Sequence, residues 1–270
     1  MIRVYPTATG RIIRWSESDN AVTLERSIHS PSNFSPIADV VGRIVYYDDQ
    51  YIPEALNDMI WYQLVTQDGK VIGPARIVNL QDKMAEAMAD RIRQHVEGFG
   101  VPIAVAQVRV GGKKCSRCFS TSTNKTVDRM CPVCYGTGWE GGYFEPVFTK
   151  AIKVRQSERT LKSITPVVQF PNASVFVLSS DVPVSPKDII ADFQTGGIYR
   201  VQSVKETIER NTALSQTVIA TLLPLEAPEY SLPGLKDYEY KLENIPGSKA
   251  QTDNWEPDVF LGNLIKENDK

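Results

Sequence analysis

The sequence predicts a mainly β fold of small barrel or sandwich modules, with one amphipathic helix and one inserted cysteine-rich segment. Short runs of β-branched and aromatic residues recur along the chain and are separated by turn residues, which is typical of strands. A single stretch, near residues 80–99, has the apolar spacing of a helix. All four cysteines fall in two C-x-x-C pairs between residues 115 and 134.

Composition bounds the class of protein. The 270 residues are 42% hydrophobic and 23% charged, with a formal net charge of −2, so no global basic field indicates nucleic acid. No apolar run approaches the length of a membrane span, and residues 1–19 lack the continuous apolar core of a secretory signal. We therefore expect a protein that folds in a cytoplasm and has no membrane partner.

Five segments follow from the pattern. They are an N-terminal β-rich domain (1–80), a helix with its connecting strand (81–110), the cysteine insertion (111–142), a β-barrel-like domain (143–225) and an extended arm (226–270).

The first segment contains five predicted strands, at 11–15, 21–25, 42–48, 59–65 and 71–78. The last two are joined by a hairpin turn at Asp68-Gly69. Prolines and serines at 29–36 predict an irregular connection.

The helix is expected to begin after Asn79, which can cap it, and to end near Gly98 and Gly100. Its apolar stripe is predicted from residues four apart, namely Met84, Met88, Ile92 and Val96, with Phe99 beyond them. Residues 101–110 then predict a strand that runs directly into the cysteine segment.

Closely spaced strands are predicted at 143–155, 166–170, 174–179, 186–206 and 217–225, with a Gly196-Gly197 turn inside the fourth stretch. Such spacing favours a small barrel or sandwich. Residues 205–216 predict a long polar loop.

Residues 226–270 have a different character, because prolines interrupt them and ten acidic residues outnumber five basic ones. The segment keeps aromatic residues at Tyr230, Tyr238, Tyr240, Trp255 and Phe260. These residues favour an arm with aromatic anchors, and the alternative is a solvated tail.

The spacing C-x2-C-x12-C-x2-C identifies Cys115, Cys118, Cys131 and Cys134 as ligands of one structural Zn2+ ion in a zinc ribbon. Each pair places two sulfurs on one turn, and a short hairpin between the pairs completes a tetrahedral shell. Gly136 lets a backbone amide approach a sulfur without a Cβ clash.

Other uses of the cysteines remain as alternatives. Two disulfides suit an oxidising compartment, and a redox pair needs only one C-x-x-C. Catalytic zinc needs an open position and a nearby acid or base. The chain has only His29 and His95, and we expect His95 to be a packed or surface residue. "CPVCYGTG" resembles one repeat of the DnaJ-type chaperone zinc domain, but "CSRCFSTS" lacks the glycines of a second repeat.

A basic patch surrounds the cysteines, with Asp128 as the only carboxylate between residues 109 and 129. Its members are Lys113, Lys114, Arg117, Lys125 and Arg129, with Arg109 just before them. Such a patch can contact nucleic acid or an acidic protein surface.

No catalytic motif is present: the chain lacks a GxSxG, a P-loop, an HExxH and an EF-hand loop. We therefore expect no enzymatic activity. The remaining enzyme alternative is a hydrolase that uses paired carboxylates in a barrel.

Residues 185–225 carry a family resemblance. They combine a Pro-x-Asp-hydrophobic-hydrophobic strand, a glycine turn, a Tyr-x-Val-x-x-Val strand and a long apolar strand. The residues that fit are Pro186, Asp188, Ile189, Ile190, Tyr199, Val201 and Val204. This pattern resembles the β-barrel of tailed-bacteriophage head-to-tail connector proteins of the stopper or neck class. The cysteine insertion and the N-terminal domain are not part of the minimal connector pattern.

The resemblance implies a structural virion protein, assembled in the host cytoplasm, that forms part of a neck ring. Its partners would be copies of itself and other neck, portal or tail proteins, with DNA in the ring lumen. A baseplate or other tail position is one alternative. A zinc-ribbon nucleic-acid-binding protein is another.

Overall fold

The computed structural model describes residues 2–7, 10–16, 20–28, 30–50, 59–76, 83–120, 122–123, 125–154, 173–210 and 212–235. Within these ranges the chain is mainly β, with a closed six-stranded barrel, two smaller sheets, a two-stranded hairpin and one α-helix. The predicted fold class is therefore confirmed. No helix in the described ranges is long and apolar enough to cross a membrane.

The N-terminal strands form two antiparallel sheets. Their bounds are β1 (Arg3–Pro6), β2 (Arg11–Arg14), β3 (Ala21–Ile28), β4 (Ser35–Asp39), β5 (Val45–Asp48), β6 (Ile60–Thr66) and β7 (Val71–Arg76). One sheet has the order β1-β2-β5 and the other has the order β4-β3-β6-β7. Strand β4 begins at Ser35, within the last two residues of the stretch predicted as an irregular connection, because pairing with β3 overrides the signal of Pro36.

Burial alternates along β6, where Ile60, Tyr62 and Leu64 are fully buried and their neighbours are not. This two-residue period is what a half-buried strand requires. These three side chains pack with Leu24 and Ile13 in a core that the two sheets share.

The remaining elements are α1 (Lys83–Phe99), β8 (Val101–Ala106), β9 (Phe119–Ser120), β10 (Lys125–Thr126), β11 (Val147–Val154), β12 (Ala173–Ser179), β13 (Ile189–Asp192), β14 (Gly197–Glu209) and β15 (Thr212–Leu222). Six of them close an antiparallel barrel in the order β11-β12-β15-β14-β13-β8. Strand β8 closes it by pairing with β11 on one side and with β13 on the other. The segment 101–110, which the sequence grouped with the helix, thus supplies a barrel strand. The barrel is filled by large apolar side chains, among them Ile103, Phe176, Leu178, Ile190 and Val218.

The predicted helix exists, but its predicted buried face is correct only at Val96. Ala85, Ala89 and Val96 are buried, whereas Met84 and Phe99 are 66% and 75% exposed. Helix α1 packs on β15, β12 and β11. Small alanine side chains allow this close approach to the barrel, and they carry a weaker hydrophobic signal than methionine. The predicted cap, Asn79, lies outside the described residues.

The predicted polar loop at 205–216 is also wrong, because β14 and β15 continue as a ladder as far as the pair Glu209–Thr212. The β14 part of this stretch is largely exposed, while Ala213 on β15 is buried against Ile12 and Val45. The extension of this hairpin therefore contacts the N-terminal sheet.

The start of the predicted arm packs on the barrel. A short 3-10 helix spans Pro228–Ser231, and Leu232 is buried beside Ile198. Tyr230 acts as the anchor that its sequence suggested, since its hydroxyl accepts from the N–H of Ile198 and donates to the carbonyl of Leu223, both at 3.3 Å. Residues 236–270 and the predicted strand at 166–170 lie outside the described residues.

Candidate metal centre

Four cysteine side chains converge in the segment between β8 and β11. The sulfurs of Cys115, Cys118, Cys131 and Cys134 all lie within 4.8 Å of one another, and all four residues are buried. The Sγ atoms of Cys115 and Cys131 are 3.9 Å apart, and those of Cys118 and Cys134 are 3.2 Å apart. These distances exceed the ~2.05 Å of a disulfide bond, and all four residues are free cysteines. The predicted convergence is confirmed, and the four sulfurs together can hold one metal ion.

Each cysteine pair sits on the same kind of turn. The N–H of Phe119 donates to the carbonyl of Cys115 at 3.1 Å, and the N–H of Tyr135 donates to the carbonyl of Cys131 at 2.8 Å. The short hairpin β9–β10 connects the two turns. We call the turn at Cys115–Cys118 the first knuckle and the turn at Cys131–Cys134 the second knuckle. The hairpin brings the two knuckles face to face, as the spacing predicted.

The second knuckle depends on Gly136. Its φ is +76°, and a Cβ built there would lie 2.6 Å from the carbonyl oxygen of Arg129. A side chain would therefore strain the backbone and collide with it. The sequence predicted a glycine requirement, and the structure adds that the collision is with this carbonyl.

Burial and nearby backbone N–H groups shift the pKa values of the cysteine thiols. Burial raises the pKa of the Cys118 thiol, and it also raises the pKa of Cys134. Burial acts in the same direction on Cys131, but backbone N–H groups of Val133 and Cys134 outweigh it and lower the pKa of that thiol to about 7. Thiolates are the metal-binding form of cysteine, so a cation at the centre would compensate the charge of the buried sulfurs.

The donor set consists of cysteine alone. In the described part of the chain, no other group of three or more His, Cys, Asp or Glu side chains comes together in a way that can hold a metal ion. His95 is exposed on α1, where its ring lies 4.8 Å from that of Phe99. A closed four-sulfur shell is suited to holding the segment in its fold rather than to activating a water.

The predicted basic patch is not a uniform set of free cations. Lys113 forms an exposed ion pair with Glu140 at 2.8 Å, and Lys114 places its ammonium 3.4 Å from the ring centroid of Trp139. Arg117 and Lys125 are exposed, and Arg129 lines a cavity beside the barrel.

Sequence reasoning missed the partners of this patch. Trp139 and Glu140 follow the second knuckle and engage two of the lysines. Lys187 and Arg200, far away in sequence, line the same cavity as Arg129. No local pattern indicates these neighbours, because the barrel fold brings them together.

Comparison with known proteins gives no assignment: no protein-family model matches the chain, and no curated protein matches it.

Proposed function

We propose that this protein is a structural virion protein of a tailed phage, that it assembles into the neck or head-to-tail connector ring, and that a Zn2+ ion stiffens its cysteine insertion. One observation carries the proposal. Residues 185–225, which resemble connector barrels, form the consecutive strands β13, β14 and β15 of a closed barrel.

The residues of the resemblance have structural roles in that barrel. Ile190, Tyr199 and Val201 lie in its core. Asp188 is buried and accepts from the N–H of Val108 at 2.8 Å and from the N–H of Ser185 at 2.7 Å. The motif thus ties the turn before β13 to the chain that leaves β8, which suits a rigid ring module.

Exposed apolar side chains on α1 support an assembly role. Met84, Met88 and Phe99 are each at least 40% exposed and share one face of the helix. Such a face, on the outside of the barrel, suits contact with a neighbouring copy in a ring.

We assign no catalytic role to the chain. Its buried carboxylates serve structure: Asp192 pairs with Lys153 at 2.7 Å, and Glu229 pairs with Arg200.

The proposed place in the virion can be tested by mass spectrometry of purified particles and by immunogold electron microscopy. We expect the protein in stoichiometric amounts and the label at the neck. A protein that is absent from particles and stays monomeric at high concentration would refute the proposal. Label at the distal tail end would instead favour a baseplate role.

Zinc is proposed because four thiolates suit its preferred tetrahedral shell, in which Zn–S bonds of ~2.3 Å hold the sulfurs roughly 3.8 Å apart. Elemental analysis is expected to find about one zinc per chain. Cys131→Ser is expected to abolish zinc binding and to increase hydrogen exchange in residues 113–140. Ser122→Ala, an exposed change in the same segment, is the matched control. Full protection of residues 113–140 after chelation would contradict the structural role.

A further inference from the structure

A cavity of about 390 Å³ lies where the cysteine segment meets the barrel. Its charged lining consists of Arg109, Arg129, Lys187 and Arg200, which we call the cation pocket. They come from four places in the chain: the exit from β8, the second cysteine knuckle, the turn before β13 and strand β14. Tyr143 and Trp139 supply aromatic walls.

The cation pocket is poorly compensated by protein charge. Among the described residues, no carboxylate lines it. Arg200 pairs with the buried Glu229, but no ion pair with a described residue engages Arg129 or Lys187. A multiply charged anion would restore the balance.

Arg109 adds a further unsatisfied group. Its guanidinium lies 4.0 Å from the ring centroid of Phe144, and that of Arg43 lies 3.8 Å from the same centroid. The buried Nε of Arg109 has no hydrogen-bond partner in the part of the chain that the structure describes. Burial lowers the pKa of Arg109, while burial and then the charge of Arg109 lower that of Arg43. The positive charges of Arg43 and Arg109 therefore lie on the same ring without being fully neutralised by negative groups.

The cation pocket adjoins a second cavity of about 670 Å³, which is lined by Arg43 and by Lys113, the partner of Glu140. The two cavities share Val110 and Trp139 in their linings. Basic side chains therefore lie on both sides of the half-buried Trp139 indole. Repeated charge with an intervening ring suits a strand of phosphates and bases better than a single small anion.

The pocket is held in shape by the backbone. Lys187 has φ +76° and Tyr135 has φ +51°, both unusual for residues other than glycine. Left-handed residues of this kind persist where the surrounding structure fixes them, and the N–H of Lys187 donates to the carbonyl of Val201 at 2.9 Å.

We propose that the cation pocket binds the phosphate backbone of a single nucleic-acid strand, with the path continuing past Trp139 into the second cavity. Arg109, Arg129 and Lys187 contact phosphates, while Arg200 stays paired with Glu229. The indole face that Lys114 does not cover offers a surface for a base. An acidic peptide would match the positive charge of the pocket, but its carboxylates would not stack on Trp139 and Tyr143. The inference stands without the connector role.

The test measures fluorescence anisotropy of a labelled single-stranded oligonucleotide of about 16 nucleotides, titrated with the full chain over a range of salt. The double variant Arg129→Ala/Lys187→Ala is expected to weaken binding at least tenfold and to reduce the slope of log K against log salt by about 1.4. Both side chains are exposed and unpaired with described residues, so the fold should persist. The charge-keeping variant Arg129→Lys/Lys187→Arg is expected to bind within about threefold of the wild type, since the phosphate term is mainly electrostatic.

The matched control is Arg91→Ala/Lys205→Ala, which removes two exposed cations outside both cavities. It is expected to change affinity less than twofold. Equal losses in control and pocket variants would overturn the proposal, as would the absence of binding at low salt.

Competition separates the ligand classes. If inorganic phosphate or a mononucleotide displaces the strand at equal concentration, the proposed nucleic-acid ligand is wrong. The pocket would then bind a small phosphate compound. A polyglutamate peptide that binds more tightly than the strand, with the same loss in the pocket variant, would overturn nucleic acid.

Photocrosslinking of a 4-thiothymidine strand to the wild-type protein gives a readout that does not depend on variant folding. Crosslinks are expected on peptides that contain Trp139, Tyr135 or Tyr143. Crosslinks confined to other regions would contradict the pocket.

Discussion

Asp48, at the end of β5, joins strands from both N-terminal sheets. Its carboxylate accepts from Arg26 at 3.0 and 2.8 Å and from the hydroxyl of the fully buried Tyr62 at 2.6 Å. Desolvation and the charge of Asp48 raise the pKa of Tyr62 well above its usual range, so this hydroxyl is a permanent donor. Sequence alone could not assign this role, because the three partners lie on strands that only the fold brings together.

Replacing Asp48 by Ala leaves the buried Tyr62 hydroxyl without its acceptor and leaves Arg26 with Gln50 alone. We expect a loss of about 3 kcal/mol or more in the free energy of unfolding, measured by urea denaturation. Asp49→Ala changes the exposed neighbour and is expected to cost less than about 0.5 kcal/mol. Similar costs for the two variants would show that the network does not stabilise the fold.

Asp188 makes stability depend on pH. Burial raises its pKa to about 7, although N–H donors from Val108 and Ser185 act in the opposite direction. A carboxyl whose folded pKa is raised contributes stability that is fully present below its unfolded pKa and is lost as the pH rises through 7.

The variant Asp188→Asn should remove that dependence. The stability difference, wild type minus variant, is expected to be larger at pH 5 than at pH 8 by about 2 kcal/mol. Comparing the two proteins at each pH cancels changes common to both, such as altered metal binding. A difference that is constant, or larger at pH 8, would contradict the raised pKa.

At the scale of elements, local signals predicted most of the structure. The Asp68-Gly69 and Gly196-Gly197 turns and the strands beside them are present. The two cysteine knuckles were predictable because their spacing is itself the chemical constraint. The buried face of α1 was not, since Met84 and Met88 dominate a hydrophobicity pattern while the barrel accepts alanines.

Two substitutions in α1 test the observed face. Val96→Ala removes buried methyl groups and is expected to lower the free energy of unfolding by about 2 kcal/mol. Met88→Ala deletes a larger side chain on the exposed face, so the cost is expected to stay within about 0.5 kcal/mol. Chemical denaturation of the two variants at low protein concentration gives the comparison, and an equal or larger cost for Met88→Ala would contradict the observed buried face.

At the scale of the whole molecule, closure of the barrel could not be predicted from the sequence. Strand β8 pairs with β13, about eighty residues later, through Ile189–Ala106 and the three pairs that follow it. Nothing in either strand specifies the other, because both are short apolar runs that many partners would satisfy. The contact of the β14–β15 hairpin with the N-terminal sheet is equally non-local, and it rests on Ala213, Ile12 and Val45.

Ala213→Glu places a charge in that contact. We expect the N-terminal sheets to lose their coupling to the barrel, so that calorimetry shows two unfolding transitions where the wild type shows one. Thr207→Glu adds the same charge on the exposed side of β14 and is expected to keep a single transition. A single transition in both variants would mean that other contacts couple the two parts.

The way the cysteine segment joins the barrel determines how easily this segment could be replaced by another. Val108 and Tyr143 form a bridge that continues the pairing of β8 with β11, so the chain leaves and re-enters the barrel at adjacent positions. Residues 109–142 can therefore be lost, or exchanged for another insert, without re-pairing any barrel strand. One barrel can in this way carry different inserts at the same point.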